Sequence, residues 1–347
     1  MAEAATPVVR PGWPSGAQVR VAGLFILAFV LFAGVLLAAA KNPLRAYADI
    51  LSGTLLNRYG LSEVVVKMIP LLLTALAVAI PSRVWLINIG GEGQLYVGAL
   101  AATWAATTAA TQPGWIALPI VAASGFLGGA LWAGLPGWLR MRGWVSETIS
   151  TLLLNYVGIL LVSFFVFGPW KDPGSANYPQ SVEFPAVARL PSLFGTRIHL
   201  GLLVAIAGLI LYHLFMTRTR WGLEMRAIGG NREAARRCGI PVETYVLMLM
   251  LVGGGLAGLA GMAEVSAIQG RLRPSLSPGY GYVGFLISWM AGGSAFGMVA
   301  AAFLIAVIAA GGDILQMTHR LPGSAVNILM ALMLFVVLAR RGKGGSS

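Results

Sequence analysis

The residues of this sequence with the chemistry to bind a polar solute or carry a proton stand inside apolar runs. The stretch LINIGGEGQLYVGAL (86–100) holds Asn88, Glu92 and Gln94. The stretch VSETISTLLLNYVG (145–158) holds Glu147, Thr151 and Asn155, with Tyr156 beside them. A carboxylate can accept hydrogen bonds or hold a proton, and an amide can both donate and accept. At the centre of a membrane helix a charge costs about 2.5–3.5 kcal/mol, so such a side chain faces the bundle interior or a wet cavity. Glu147, Thr151 and Asn155 recur every four residues and therefore form one polar stripe. That stripe either lines a solute path or hydrogen-bonds to other helices. Around Glu92, each of Gly90, Gly91 and Gly93 weakens a helix by up to about 1 kcal/mol. Two readings follow: a helix break that lines a path with Glu92 and Gln94, or a helix start with Glu92 in a first turn favoured by the dipole. Asn155, Gln94, Tyr156 and Trp289 supply amide and aromatic groups suited to a polar ring, a combination that by itself selects no particular solute.

Other chemistries have no foothold. Cys238 is the only cysteine, so no intrachain disulfide forms. His199, His213 and His319 lie far apart, without metal-ligand spacing. Neither clustered His and Cys nor paired carboxylates on a shared face suggest an intramembrane enzyme. No GxxxxGK[ST] phosphate loop is present.

The elements that position these residues are membrane spans. The 347 residues are 57% hydrophobic and only 10% charged, against about 25% charged in soluble domains. The expected fold is all-α and polytopic, with about ten transmembrane helices: 19–40, 64–80, 87–110, 115–139, 149–167, 198–216, 245–266, 281–292, 298–311 and 326–340. Run 19–40 ends in a cleavage-like AAA, but it exceeds the roughly 7–15 residues of a signal peptide core and reads as a span. GEGQLYVG (91–98) resembles GYGYVGFL (279–286), which points to an inverted repeat with short or broken helices. Small-residue pairs Gly125/Gly129 and Gly254/Gly258 predict close helix packing. Asp313 and His319 read as solvated ends.

Basic residues set the orientation. With 1–18 as a cytoplasmic tail, 14 of the 24 Lys and Arg fall inside, six of them in the loop 217–244, and the tail 341–347 is also cytoplasmic. The membrane domain then spans 19–340. The Pro- and Gly-rich stretch 168–197 is the largest outer loop and should be irregular chain or a short interfacial helix. Within 217–244, Asn231 can cap a helix, Glu233 sits in its first turn, and Arg236 and Arg237 lie in its last; Gly239 and Pro241 stop it. That short helix should expose Ala234 and Ala235.

The segment GLEMRAIGGNREAARRCGI (222–240) resembles the ATPase-coupling loop of bacterial ABC-importer permeases of the branched-chain amino acid, ribose and nucleoside type. NIGGEGQL, VSETISTLLLNY, the outer-loop GPWKDP…YPQS and GYGYVG resemble its nucleoside and simple-sugar members, in the same order from Asn42 to Arg340. SWMAGGSAFGM (288–298) departs from the family pattern of a Leu-Gly pair, polar residues and a proline. The resemblance implies a permease subunit that forms half of a translocation path for a small polar solute such as a nucleoside. It implies no cofactor in this chain, with ATP and Mg held by a partner ATPase that grips Glu224, Arg226, Ala227, Gly229, Asn231, Ala234, Ala235 and Gly239. It further implies a second permease, an extracytoplasmic binding protein or lipoprotein, and a place in the bacterial plasma (inner) membrane. A stand-alone transporter with a proton on Glu92 or Glu147 is the alternative.

Overall fold

The computed structural model of the chain describes residues 16–176, 178–322, 327–329 and 331–332. The chain divides into two units, 1–51 with 311–347, and 52–310. Helices α1 (Gly16–Ala38), α2 (Pro43–Thr54), α3 (Arg58–Ser82), α4 (Gly91–Thr108), α5 (Gly114–Met141) and α6 (Glu147–Phe167) are followed by α7 (Gly201–Arg218). Then come α8 (Arg220–Gly230), α9 (Arg232–Arg237), α10 (Val242–Ala263), α11 (Tyr280–Ala291) and α12 (Ala295–His319). A π-helical turn, Glu264–Gln269, continues α10. Apart from one isolated bridge between Ser192 and His199, the regular structure of the described residues is helical.

Six described helices are long and apolar enough to cross a membrane: α3, α5, α6, α7, α10 with its π-turn, and α12. The pair α1 and α2, bent by 114°, raises the number to seven if it forms one broken span. Two expected spans thus take another form. The chain of 87–110 begins helically only at Gly91, and the polar start of α4 keeps it out of that group. Helix α11 has 12 residues, about 18 Å long against the ~30 Å of a hydrocarbon core. The tenth expected segment, 326–340, lies outside the described residues except at 327–329 and 331–332, as do the tail 341–347 and most of the tail 1–18.

In the first unit, the Tyr47 hydroxyl donates to the Phe29 carbonyl at 2.6 Å and its ring meets the Phe29 ring edge-on. His319 Nε2 lies 2.7 Å from Asp49 Oδ2, so this histidine is paired and half-buried instead of a solvated end.

In the second unit, α10 packs against α5, α4 and α3, while α11 packs against α3 and α4. Of the apolar window of α3, 89% is buried, against 22% for α7 and 33% for α5 and α6; α3 is therefore central and the other three turn broad faces outward. The two small-residue pairs meet each other: Gly125 and Gly129 of α5 face Gly254 and Gly258 of α10, and Gly98 of α4 joins them. A side chain at Gly258 would start on the Gly125 carbonyl, 3.0 Å from the Gly129 backbone. Backbone cannot give way as a flexible side chain can. Gly258→Val is therefore expected to cost roughly 3 kcal/mol, the upper end for overpacking. Thermal unfolding in detergent checks this, and an unchanged midpoint would refute the packing argument.

The stretch 168–197 is irregular apart from a 3-10 turn at Ala186–Ala188. It is strapped to the π-turn and the chain after it: Ser181 N–H donates to Leu272 O, Phe184 N–H to Gly270 O, and Leu190 N–H to Ser266 O. Arg271 reaches Glu183 and Asp172 at 3.3 and 3.8 Å.

Candidate functional site

After α3 the chain runs extended from Leu86 to Ile89. Side chains alternate along it as they must in an extended strand: Val84, Leu86 and Asn88 are buried, Trp85 and Ile87 exposed. The amides of Ile87 and Ile89 consequently point the same way, toward α6. Ile87 N–H donates to Glu147 Oε1 and Ile89 N–H to Thr151 Oγ1, both at 3.3 Å. Asn155 Nδ2 donates to the Ile89 carbonyl at 2.9 Å, and its Oδ1 accepts from Gly93 N–H at 2.8 Å. The fit is one of periods. Two extended residues advance about 6.6 Å and four helical residues about 6 Å, so a stripe with a spacing of four can serve every second backbone group. Glu147 is completed by Arg140, Nε to Oε2 at 3.0 Å. Both readings of the stripe required an inward face; the structure gives its three side chains hydrogen bonds to backbone between helices.

At Glu92 the structure is a helix start. The carboxylate lies in the first turn of α4 and is buried, 2% exposed. Its Oε2 accepts from Gly281 N–H, in the first turn of α11, at 2.7 Å. The two similar glycine stretches of the sequence thus meet at this point, with Gly91 against Gly281. Any side chain at Gly281 would fall on the backbone of Gly91 and Glu92. Each helix N-terminus carries roughly half a positive charge, so one carboxylate serves two. Asn88 and Gln94 form a reciprocal amide pair at 3.1 and 2.9 Å; Asn88 also donates to Ala77 O and accepts from Gly90 N–H.

The structure therefore gathers Asn88, Glu92, Gln94, Glu147, Thr151 and Asn155 around the start of α4. Tyr156, at 60% exposure, faces out of the cluster. Trp289 stands two turns along α11 from Gly281, about 12 Å by helical rise, and packs on Phe285. Sequence reading missed the residues that frame the junction. Ser277 Oγ caps α11 by accepting from Gly279 and Tyr280 N–H, and the Tyr96 hydroxyl donates to Pro274 O at 3.2 Å. The Ser277-Pro278-Gly279 run is a helix-start signal that would have found the cap.

The loop 217–244 forms a helical hairpin. Asn231 Oδ1 accepts from Glu233 and Ala234 N–H, both at 3.0 Å, Gly239 takes φ +80°, and α9 ends there as its sequence predicts. Two points differ. Helix α8 forms through the glycine-containing RWGLEMRAIGG because Met225 and Ile228 share a buried face. Ala235 is buried while Ala234 is exposed; neighbours on a helix point about 100° apart, so a six-residue helix lying on α10 cannot expose both. Arg226, Ala227, Asn231 and Gly239 are exposed with Ala234. Glu224 turns inward, joined to the Tyr245 hydroxyl and, at 2.6 Å, to Arg220 Nε. Those two partners hold its carboxyl below the usual range. Gly229 lies against α3's exit, where an added Cβ would stand 2.5 Å from the Arg83 carbonyl oxygen.

Residues 60–338 match the family model described as the branched-chain amino acid transport system / permease component. The glucose ABC transporter permease protein of Haloferax volcanii is 38% identical, with 91% of this chain and 86% of that protein covered. The guanosine ABC transporter permease protein of Bacillus subtilis is 29% identical over 90% of each chain. The nucleoside ABC transporter permease protein of Lactococcus lactis subsp. cremoris is 29% identical, covering 91% of this chain and 89% of its own.

Proposed function

We propose a transport mechanism from one premise: the chain belongs to the family of branched-chain amino acid transport system permease components, and so is a multi-pass membrane permease subunit of an ABC transporter, not an enzyme. In this reading it forms half of an import path in the bacterial plasma (inner) membrane, beside a second, homologous permease. Both termini and the α8–α9 hairpin face the cytoplasm. A cytoplasmic ATPase binds ATP and Mg, seats on the hairpin and drives the bundle from outward- to inward-open. An extracytoplasmic binding protein or lipoprotein delivers the solute. About ten membrane segments complete the chain, with α4 and α11 as half-helices related by the inverted repeat.

One observation carries the reading: α9 is capped, braced on α10, and leaves Arg226, Ala227, Asn231 and Ala234 bare beside it. An isolated helix this short is unstable in water, so its bracing suits it to bear a partner's push. For the solute, we propose a neutral, hydroxyl-rich ring, either a nucleoside or a simple sugar. The guanosine and nucleoside relatives favour the first, and the glucose relative, at higher identity, favours the second. Asn88, Glu92, Gln94, Glu147, Thr151 and Asn155 would border the path, and Tyr156 and Trp289 would face its wider parts.

Uptake of labelled guanosine and glucose into vesicles tests both parts. The complete complex should accumulate one of them only when ATP is present. The purified chain alone, under a proton gradient, should accumulate neither, and uptake by that chain alone would overturn the mechanism.

A further inference from the structure

One short helix is held at both ends by the two ends of one short segment. Glu92 accepts from Gly281 N–H at the start of α11. At the other end, the Arg83 guanidinium donates to the carbonyl of Gly293, in the turn that follows α11. Tyr212 of α7 completes this grip: its hydroxyl donates to the same carbonyl at 2.7 Å and receives Arg83 Nε at 2.9 Å, while the guanidinium lies 5.4 Å over its ring. Gly292 and Gly293 have φ of +59° and +77°, and a side chain at 293 would collide with Arg83. An accepting carboxyl oxygen at the N-terminus and a cation at the C-terminal turn both complement the dipole of α11.

The same segment carries the hairpin. Trp85 Nε1 donates to the Gly229 carbonyl at 2.6 Å, Arg232 donates to the Val84 carbonyl, and Gly229 abuts the Arg83 carbonyl. Residues 83–85 are thus the shared contact of α8, α9 and the end of α11. Helix α11 rests on α3 through Gly284 against Thr74, whose hydroxyl donates to Tyr280 O at 3.0 Å. Its first turn meets α4 backbone to backbone at Gly281 and Gly91, as α4, α5 and α10 meet one another at glycines.

We infer that residues 83–92 are a lever that converts movement of the α8–α9 hairpin into a rigid-body shift of α11, with Arg83 and Trp85 as its positioning residues. The inference rests on the ATPase-driven reading above and names the moving part. A push on the hairpin reaches Arg83–Trp85 directly. Because the segment grips α11 at both ends, the helix follows as a unit instead of bending.

The test uses the assembled complex with Arg83→Gln or Trp85→Phe in this chain, measuring ATPase co-purification, ATP turnover and uptake together. Trp85 is 74% exposed, and Phe keeps a ring there while removing the donor, so this variant folds even if Arg83→Gln does not. Both variants should retain the ATPase and hydrolyse ATP, yet the solute moved per ATP should fall on the order of tenfold, a typical coupling effect. An unchanged ratio overturns the lever, as does a loss of uptake that only tracks loss of bound ATPase. The unaltered complex separates the two levels: if it too hydrolyses no ATP during uptake, the ATPase-driven reading falls and the lever with it.

Discussion

A chain carrying Ala234→Trp is expected to insert, fold and melt like the unaltered protein while losing at least ~30-fold of its uptake, equivalent to roughly 2 kcal/mol of docking at a central contact. Ala234 is exposed, and its N–H, bound to Asn231 Oδ1, is untouched by the side chain. The indole would therefore project from α9 into the space a partner must occupy. The neighbouring position is the control. Ala235→Trp would bury the same indole where 3% of the alanine is exposed, so it should lower the melting temperature as well as uptake. Gly229→Trp should behave like Ala235→Trp, since its first added carbon meets the Arg83 carbonyl. Full uptake by the Ala234→Trp protein would remove the hairpin from the mechanism.

The largest stability loss is expected from Asn155→Leu. Its amide holds the Ile89 carbonyl and the Gly93 N–H, and the residue is fully buried. Leucine is close in size and would leave both groups unpaired, at about 1–3 kcal/mol each. Hydrogen bonds between membrane helices average only ~0.6 kcal/mol, because released groups find new partners. Here the released carbonyl belongs to an extended segment with no helix of its own to return to, so the larger figure applies. Thermal unfolding in detergent should register a loss of roughly 2–6 kcal/mol, and a shift below a tenth of that would show that the ladder is dispensable.

How much of this was legible beforehand depends on what each feature leaves in the sequence. Unbroken apolar runs placed α3, α5, α6, α7 and α10, because length and hydropathy are what a span requires. The same property concealed their burial: helices apolar on every side look alike whether they face lipid or protein, so nothing marked α3 as central. Helix α2 was missed because PLRAYADILSGT is amphipathic and short. The Glu147, Thr151 and Asn155 stripe was visible through its period, but its partner was not, since backbone amides have no residue signature. Glu92 was recognised as misplaced for lipid, while its acceptor role at a second helix depended on Gly281, far away in sequence. Nothing local singles out Arg83, because its contacts with Tyr212 and Gly293 span elements that no local pattern connects.

The ladder between α6 and the extended chain has a further implication for inheritance. It reads peptide groups, so the side chains at 87 and 89 can drift among apolar alternatives without its noticing. Length is another matter. One residue inserted or deleted between Leu86 and Gly93 would rotate every amide away from its partner, and an error of that kind cannot be repaired by any single exchange on α6.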